Sequence, residues 1–108
     1  MTAILNAVVT LATRGEARAS LHAYRELAAD GLLFDEVLAG LGTAVAIEEY
    51  PDYFKGPCVL ALQHDSDKRA IHALWGIPKN QSSPAVLITV YRPDPGSWTA
   101  DLTRRRMK

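Results

Sequence analysis

The chain has 108 residues, which fits one domain and leaves no room for a second of ordinary size. Twelve Lys and Arg residues balance twelve Asp and Glu residues, and this neutral total excludes a generically basic protein that coats DNA. A single cysteine, Cys58, excludes an internal disulfide, and no apolar run reaches the roughly 18 residues that a membrane span needs. We therefore expect one domain over residues 1–108, in the cytoplasm and without a membrane anchor.

The first half of the chain has the apolar spacing of helices. Apolar residues within 4–12 predict a short first helix that breaks at the following Thr-Arg-Gly. A second helix is predicted from about residue 16 to residue 30, where a glycine follows in the usual C-terminal position. The acidic pair at 35–36 favours the start of a short third helix, which ends at Gly40 or Gly42.

The second half has short apolar runs separated by turn residues, as strands do. We predict four strands, over residues 43–50, 57–64, 69–77 and 85–91. Ser97 is placed to cap a short C-terminal helix over about 98–106. Helices followed by a meander of strands predict an α+β fold, in which the N-terminal helices pack on a twisted antiparallel sheet of about four strands.

Three basic residues cluster on the predicted second helix. Its predicted buried stripe consists of Ala17, Leu21, Tyr24 and Ala28. Arg18, His22 and Arg25 follow one flank of that stripe at i, i+4 and i+7. Because three basic groups side by side repel one another, we expect an anion such as phosphate to bind them. The pattern also fits two surface arginines and a boundary histidine, with Glu26 at i+4 from His22.

Further candidates lie on the predicted strands. Alternation places Thr89 and Tyr91 on one face together with Leu87. The other face is aliphatic and is expected to pack against the helices; it consists of Val86, Ile88 and Val90. The face with Thr89 and Tyr91 is then a reasonable place for a substrate. His72, on the preceding strand, is either part of that site or a satisfied, half-buried residue.

Charge is distributed unevenly along the chain. Residues 26–54 contain seven acidic residues and no Lys or Arg, whereas Arg104, Arg105 and Arg106 lie near the C-terminus. This basic end is either a solvated tail or a cationic contact for phosphate. Three dispersed histidines and one cysteine offer no zinc-binding spacing, and the chain lacks a Gly-rich phosphate loop. We therefore expect neither a metal nor a cofactor.

Several short motifs, taken in order, resemble those of a bacterial family. They are Arg18-Ala19-Ser20-Leu21-His22-Ala23-Tyr24-Arg25, Glu48-Glu49-Tyr50-Pro51, Gly56-Pro57, Ile71-His72, and Thr89-Val90-Tyr91-Arg92-Pro93-Asp94 with Trp98 shortly after. This series resembles the family called domain of unknown function 4258 over nearly the whole chain. That family is similar to the RelE and BrnT toxins, small proteins with helices packed on a twisted antiparallel sheet.

The resemblance implies a toxin of a toxin–antitoxin pair that cleaves RNA without a metal. The catalytic candidates that it implies are His22, Arg25, His72, Thr89 and Tyr91. The candidates for binding RNA are Arg18, Arg92, Arg104, Arg105 and Arg106. One of the two histidines would serve as base or acid when a ribose 2′-OH attacks the adjacent phosphate.

The expected partners are RNA and a cognate antitoxin protein that covers the active site. The alternative is a non-catalytic module of the same fold that binds a partner or regulates it. The acidic middle of the chain and its neutral total charge favour this alternative. The sequence leaves the oligomeric state open.

Overall fold

The computed structural model describes residues 2–106, which form three α-helices, one 3₁₀ helix and a five-stranded sheet. The helices are α1 (Ala3–Thr13), α2 (Leu21–Ala29) and α3 (Phe34–Ala39), and the 3₁₀ helix is Gly40–Thr43. The strands are β1 (Ala17–Ala19), β2 (Val45–Tyr50), β3 (Cys58–His64), β4 (Ala70–Gly76) and β5 (Ala85–Tyr91). The α+β class is therefore confirmed. Within residues 2–106, none of the helices combines the length and the apolar character that crossing a membrane requires.

The sheet has the strand order β1-β5-β4-β3-β2. Neighbouring strands are antiparallel except for β1, which runs parallel to β5 with Ala17 opposite Ala85 and Ala19 opposite Leu87. The predicted count of four strands was wrong because β1 adds a fifth. Its residues favour a helix on propensity alone, but the backbone of β5 offers an open edge to pair with, and tertiary pairing outweighs the local preference.

This pairing moves the start of α2 from the predicted residue 16 to Leu21. Ser20 caps the helix, because its hydroxyl oxygen accepts from the Ala23 N–H at 3.0 Å while its O–H donates to the Ile88 carbonyl at 3.0 Å. Tied to β5 in this way, α2 buries Ala23 and Leu27. The predicted buried stripe was wrong: Leu21 is 67% exposed and Tyr24, which contacts Phe34, is 52% exposed.

A bulge on β5 decides which residues share a face of the sheet. Leu74 pairs with Thr89 and Trp75 with Leu87, so Ile88 has no partner on β4. Ala85, Leu87 and Val90 belong to the core beneath the helices. Val86, Ile88, Thr89 and Tyr91 therefore lie on the opposite face, which we call the outer face. The predicted grouping of Val86 and Ile88 with Val90 was wrong because the bulge shifts the alternation.

The segment after β5 crosses the outer face as an irregular loop, residues 97–106, which we call the strap. The loop is closed by a bridge between Trp98 and Arg105, with the Thr99 N–H donating to the Arg104 carbonyl at 2.8 Å. The hydroxyls of Thr99 and Thr103 both donate to Asp101, at 2.6 and 2.8 Å. The predicted C-terminal helix was wrong, because these side chains satisfy the local turn instead of a helical backbone.

Candidate functional site

The outer face carries a groove of about 300 Å³, which we call the outer groove. Leu60, Leu74 and Ile88 form its apolar floor, and Cys58 and Thr89 also line it. Tyr50, Tyr53 and Tyr91 contribute aromatic walls. An apolar groove with a few polar tips is the usual form of a binding site for a small molecule or a nucleobase.

Cationic side chains flank the outer groove at both ends. One end continues past Tyr53 and Ile88 into a pocket lined by Arg18 and Lys55. The other end continues past Tyr50 and Leu60 into a pocket lined by Arg104 and Arg105 of the strap. Although the net charge of the chain is zero, the groove can therefore meet phosphates at two places.

A hydrogen-bonded cluster of His22, Glu26 and Thr89, which we call the rim cluster, lies at the edge of the groove. Oε1 of Glu26 accepts from the Thr89 hydroxyl. It also accepts from the Val90 N–H at 3.0 Å. His22 Nε2 lies 3.3 Å from the same oxygen, and the His22 side chain is 68% exposed. Glu26 therefore joins α2 to the free edge of β5 and orients an exposed imidazole whose Nδ1 faces away from the carboxylate.

His72 and Tyr91 form a second polar pair on the same face as Thr89, because they are directly opposite each other on β4 and β5. His72 Nε2 is 2.7 Å from the Leu102 carbonyl, which only accepts, so this nitrogen carries the proton. Nδ1 then accepts from the Tyr91 hydroxyl at 3.1 Å. Burial lowers the pKa of His72. The hydrogen bond to the Leu102 carbonyl partly offsets this decrease, and the positive charge of Arg105 adds to it. Burial raises the pKa of the Tyr91 hydroxyl.

The strap covers His72 from the outer side. The rings of Trp98 and His72 are nearly perpendicular, with a centroid distance of 4.4 Å, and the Arg105 guanidinium lies 4.8 Å from the centre of the Trp98 ring. His72 is fully buried and Trp98 is 5% exposed. In this arrangement neither nitrogen of His72 is available to a ligand in the outer groove.

The predicted cationic flank of α2 was wrong in one member, because Arg18 lies on β1 opposite Val86 and not on the helix. His22 reaches the rim cluster. Arg25 lies on the exposed side of α2, nearly opposite the buried Ala23 and Leu27, since helical residues advance about 100° each. The anion site expected from three adjacent cations is therefore not formed.

Arg92 is engaged in an ion pair away from the outer groove. Its Nη2 donates to Asp65 at 2.9 Å, and its buried Nη1 has no partner within residues 2–106. Burial alone would raise the pKa of Asp65, but hydrogen bonds from the Arg69 N–H and from Arg92 outweigh it and lower that pKa. Arg106 donates from Nε to the Pro95 carbonyl at 2.9 Å. Arg104 and Arg105 are therefore the strap cations that line the pocket at the end of the outer groove.

Glu26 is the site residue that the sequence reasoning missed. Its spacing of four residues from His22 was visible, and this spacing predicts a contact on one face of a helix. Its position beside Thr89 depends on the pairing of β1 with β5, which brings residues 63 positions apart into contact. No local pattern in the sequence carries that information.

Neither curated proteins nor solved structures gave a match to this chain. A family model matches residues 19–92, which include the last residue of β1 together with α2, α3 and β2 to β5. The matched segment contains the complete rim cluster together with His72 and Tyr91, and it ends before the strap. Because the match covers well over half of the chain, the protein belongs to the family described as Domain of unknown function (DUF4258).

Proposed function

We propose that the protein is a metal-independent endoribonuclease related to the RelE and BrnT toxins and acts as the toxin of a toxin–antitoxin pair. The observation that carries this proposal is the rim cluster. An exposed imidazole, oriented by a carboxylate, lies beside an aromatic groove with cations at both ends. Helices that cover only one face of a mainly antiparallel sheet support the RelE-like relationship.

The outer groove suits single-stranded RNA. Unpaired bases stack on aromatic side chains, and Tyr50, Tyr53 and Tyr91 offer such surfaces along the groove. Arg18 and Lys55 at one end and the strap arginines at the other are placed to contact the backbone phosphates. A strand that crosses the groove would pass Thr89 and the rim cluster midway.

His22 is the base of the proposed reaction. Nδ1 takes the proton of a ribose 2′-OH while Glu26 holds the ring and stabilises its positive charge. The 2′-oxygen forms a bond to phosphorus, and the bond from phosphorus to the 5′-oxygen breaks. The leaving oxygen takes a proton from a second group at the site, so the products are a 2′,3′-cyclic phosphate and a free 5′-OH. Arg18 and the strap arginines, which flank the groove, are the side chains that would stabilise the charge on the phosphorane.

The test is cleavage of labelled single-stranded RNA by the purified protein in the presence of EDTA, with induced expression scored for growth arrest and RNA integrity. We expect cyclic-phosphate ends, and we expect His22→Gln to lower the cleavage rate by about 10²-fold or more. His64→Gln is the matched control because His64 is an exposed histidine outside the outer groove. Equal cleavage by wild type and His22→Gln, or no cleavage by any of them, contradicts the proposal.

A second candidate function is a non-catalytic module that binds a protein partner. The exposed Leu21 and Tyr24 on α2 favour it, because large apolar side chains side by side on a surface helix are typical of a contact region. This candidate predicts that RNA stays intact. It also predicts that Leu21→Ser with Tyr24→Ser abolishes co-purification with the protein encoded by the neighbouring gene. The fold should persist with a small decrease in the melting temperature, because Tyr24 also contacts Phe34.

A further inference from the structure

The strap is a self-contained loop whose internal hydrogen bonds do not depend on the sheet. Its two ends are joined by the Arg106 N–H, which donates to the Ser97 carbonyl at 2.8 Å. Asp101 accepts hydrogen bonds from the hydroxyls of Thr99 and Thr103, and the Thr103 N–H also donates to it at 3.2 Å. The strap can therefore move as one body without breaking these bonds.

The strap is fastened to the sheet at one place. Trp98 is its single buried side chain, and the only hydrogen bond between a strap residue and a sheet residue within residues 2–106 joins Leu102 to His72. Leu102 also has a φ of 63°, a left-handed conformation that is costly for leucine. Segments with few buried contacts and local strain open at lower free energy than the core beneath them.

We propose that the strap is a lid over His72, and that its displacement turns the imidazole of His72 into a second functional group of the outer groove. This role in the reaction rests on the proposed ribonuclease function. Cleavage needs one group to accept the 2′-OH proton and another to give a proton to the 5′-oxygen. With the strap closed, His22 is the only histidine that a ligand in the groove can reach.

The geometry of the sheet supports His72 as the missing acid. Tyr91 is directly opposite His72, and Thr89 of the rim cluster is two positions from Tyr91 on β5, or about 7 Å along a strand. That separation matches roughly one nucleotide of RNA backbone. Once the strap has left, solvent reaches His72, which can then carry the proton that it releases to the 5′-oxygen.

Chemical labelling of histidines by diethyl pyrocarbonate, followed by mass spectrometry, tests the lid without any measurement of activity. In the wild-type protein we expect the exposed His22 and His64 to react about tenfold or more faster than the buried His72. Trp98→Ala removes the buried anchor and should bring His72 towards the rate of His64. Trp98→Phe, the matched control, keeps a ring over His72 and should keep it protected.

A second measurement uses wild-type protein, so it does not depend on the folding of a variant. A 2′-O-methyl RNA oligonucleotide, which cannot be cleaved, should speed labelling of His72 while His64 is unchanged. If His72 stays protected from labelling both in the folded Trp98→Ala variant and in the wild type with the oligonucleotide, the lid proposal is wrong. If His72 becomes exposed but neither the wild type nor Trp98→Ala cleaves RNA, the lid proposal stands and the proposed ribonuclease function is wrong. Cleavage that His72→Gln leaves unchanged overturns its role as the acid.

Discussion

Glu26 makes separate contributions to stability and to the proposed chemistry, and two substitutions separate them. Its Oε1 accepts from the Val90 N–H and from the Thr89 hydroxyl, and a hydrogen bond to a charged acceptor contributes about 1.5–3 kcal/mol when buried. The Glu26 side chain is 25% exposed, so we take about 1 kcal/mol for each bond. The pair with the exposed His22 adds about 0.3–0.5 kcal/mol.

These contributions give different expectations for Glu26→Ala and Glu26→Gln. Alanine removes both hydrogen bonds and should lower the free energy of unfolding by about 2 kcal/mol. Glutamine keeps a carbonyl acceptor for β5 and loses only the charge, so it should cost about 0.5–1 kcal/mol. The RNA cleavage rate should nevertheless fall by about 10²-fold with glutamine, because an amide stabilises a charged imidazole poorly.

Urea unfolding followed by circular dichroism measures the stability changes, and cleavage of single-stranded RNA in EDTA measures the chemistry. Asp30→Asn is the matched control, since Asp30 is an exposed carboxylate at the C-terminal end of the same helix. If glutamine destabilises the protein as much as alanine does, the hydrogen bonds to β5 do not act as described. If the Glu26→Gln variant cleaves RNA at the wild-type rate, the carboxylate does not orient His22.

Two further predictions concern the groove and the strap. Replacing Arg104 and Arg105 by alanine should make the negative slope of log K against log salt for single-stranded RNA shallower by about 0.7 per lost phosphate contact. Arg14→Ala is the control and should leave the slope unchanged, because Arg14 is an exposed arginine that lines neither the outer groove nor the two pockets at its ends. An unaltered slope in the double variant contradicts the contact. Burial lowers the folded-state pKa of His72 below its usual 6.5, so the contribution of His72 to the free energy of unfolding should be largest above that pH and fall as the pH drops below it. His72→Gln should flatten this dependence in urea titrations between pH 8 and about 5, because glutamine can make both hydrogen bonds without titrating.

The sequence predicts those elements that local patterning determines. The apolar spacing of Leu5, Val8 and Leu11 specifies α1, and the run of β-branched residues in β5 gives that strand its correct ends. The elements it mispredicts depend on distant contacts. Residues 17–19 form a strand only because β5 offers them an edge, and the resulting cap at Ser20 turns Leu21 to solvent.

The candidate site divides in the same way. The pairing of β4 with β5 brings His72 and Tyr91 together, whereas strand alternation had left open whether His72 belongs to the site or is a satisfied residue. The bulge at Ile88 puts Thr89 beside them, although it separates Thr89 from Leu87. The contact of Glu26 with Thr89 and the cover of Trp98 over His72 join segments with no common periodicity, so neither could be predicted from the sequence.

The parallel pairing of β1 with β5 has a consequence for the order in which the chain folds. β2, β3 and β4 pair with their immediate neighbours in sequence and can form a sheet early, because short loops close quickly. β1 must wait for a strand 68 residues further along the chain. During synthesis, β1 and the start of α2 therefore have no sheet edge to join until β5 has left the ribosome. Completion of the sheet and assembly of His22, Glu26 and Thr89 are then one late event, so a partly made chain does not yet carry the rim cluster.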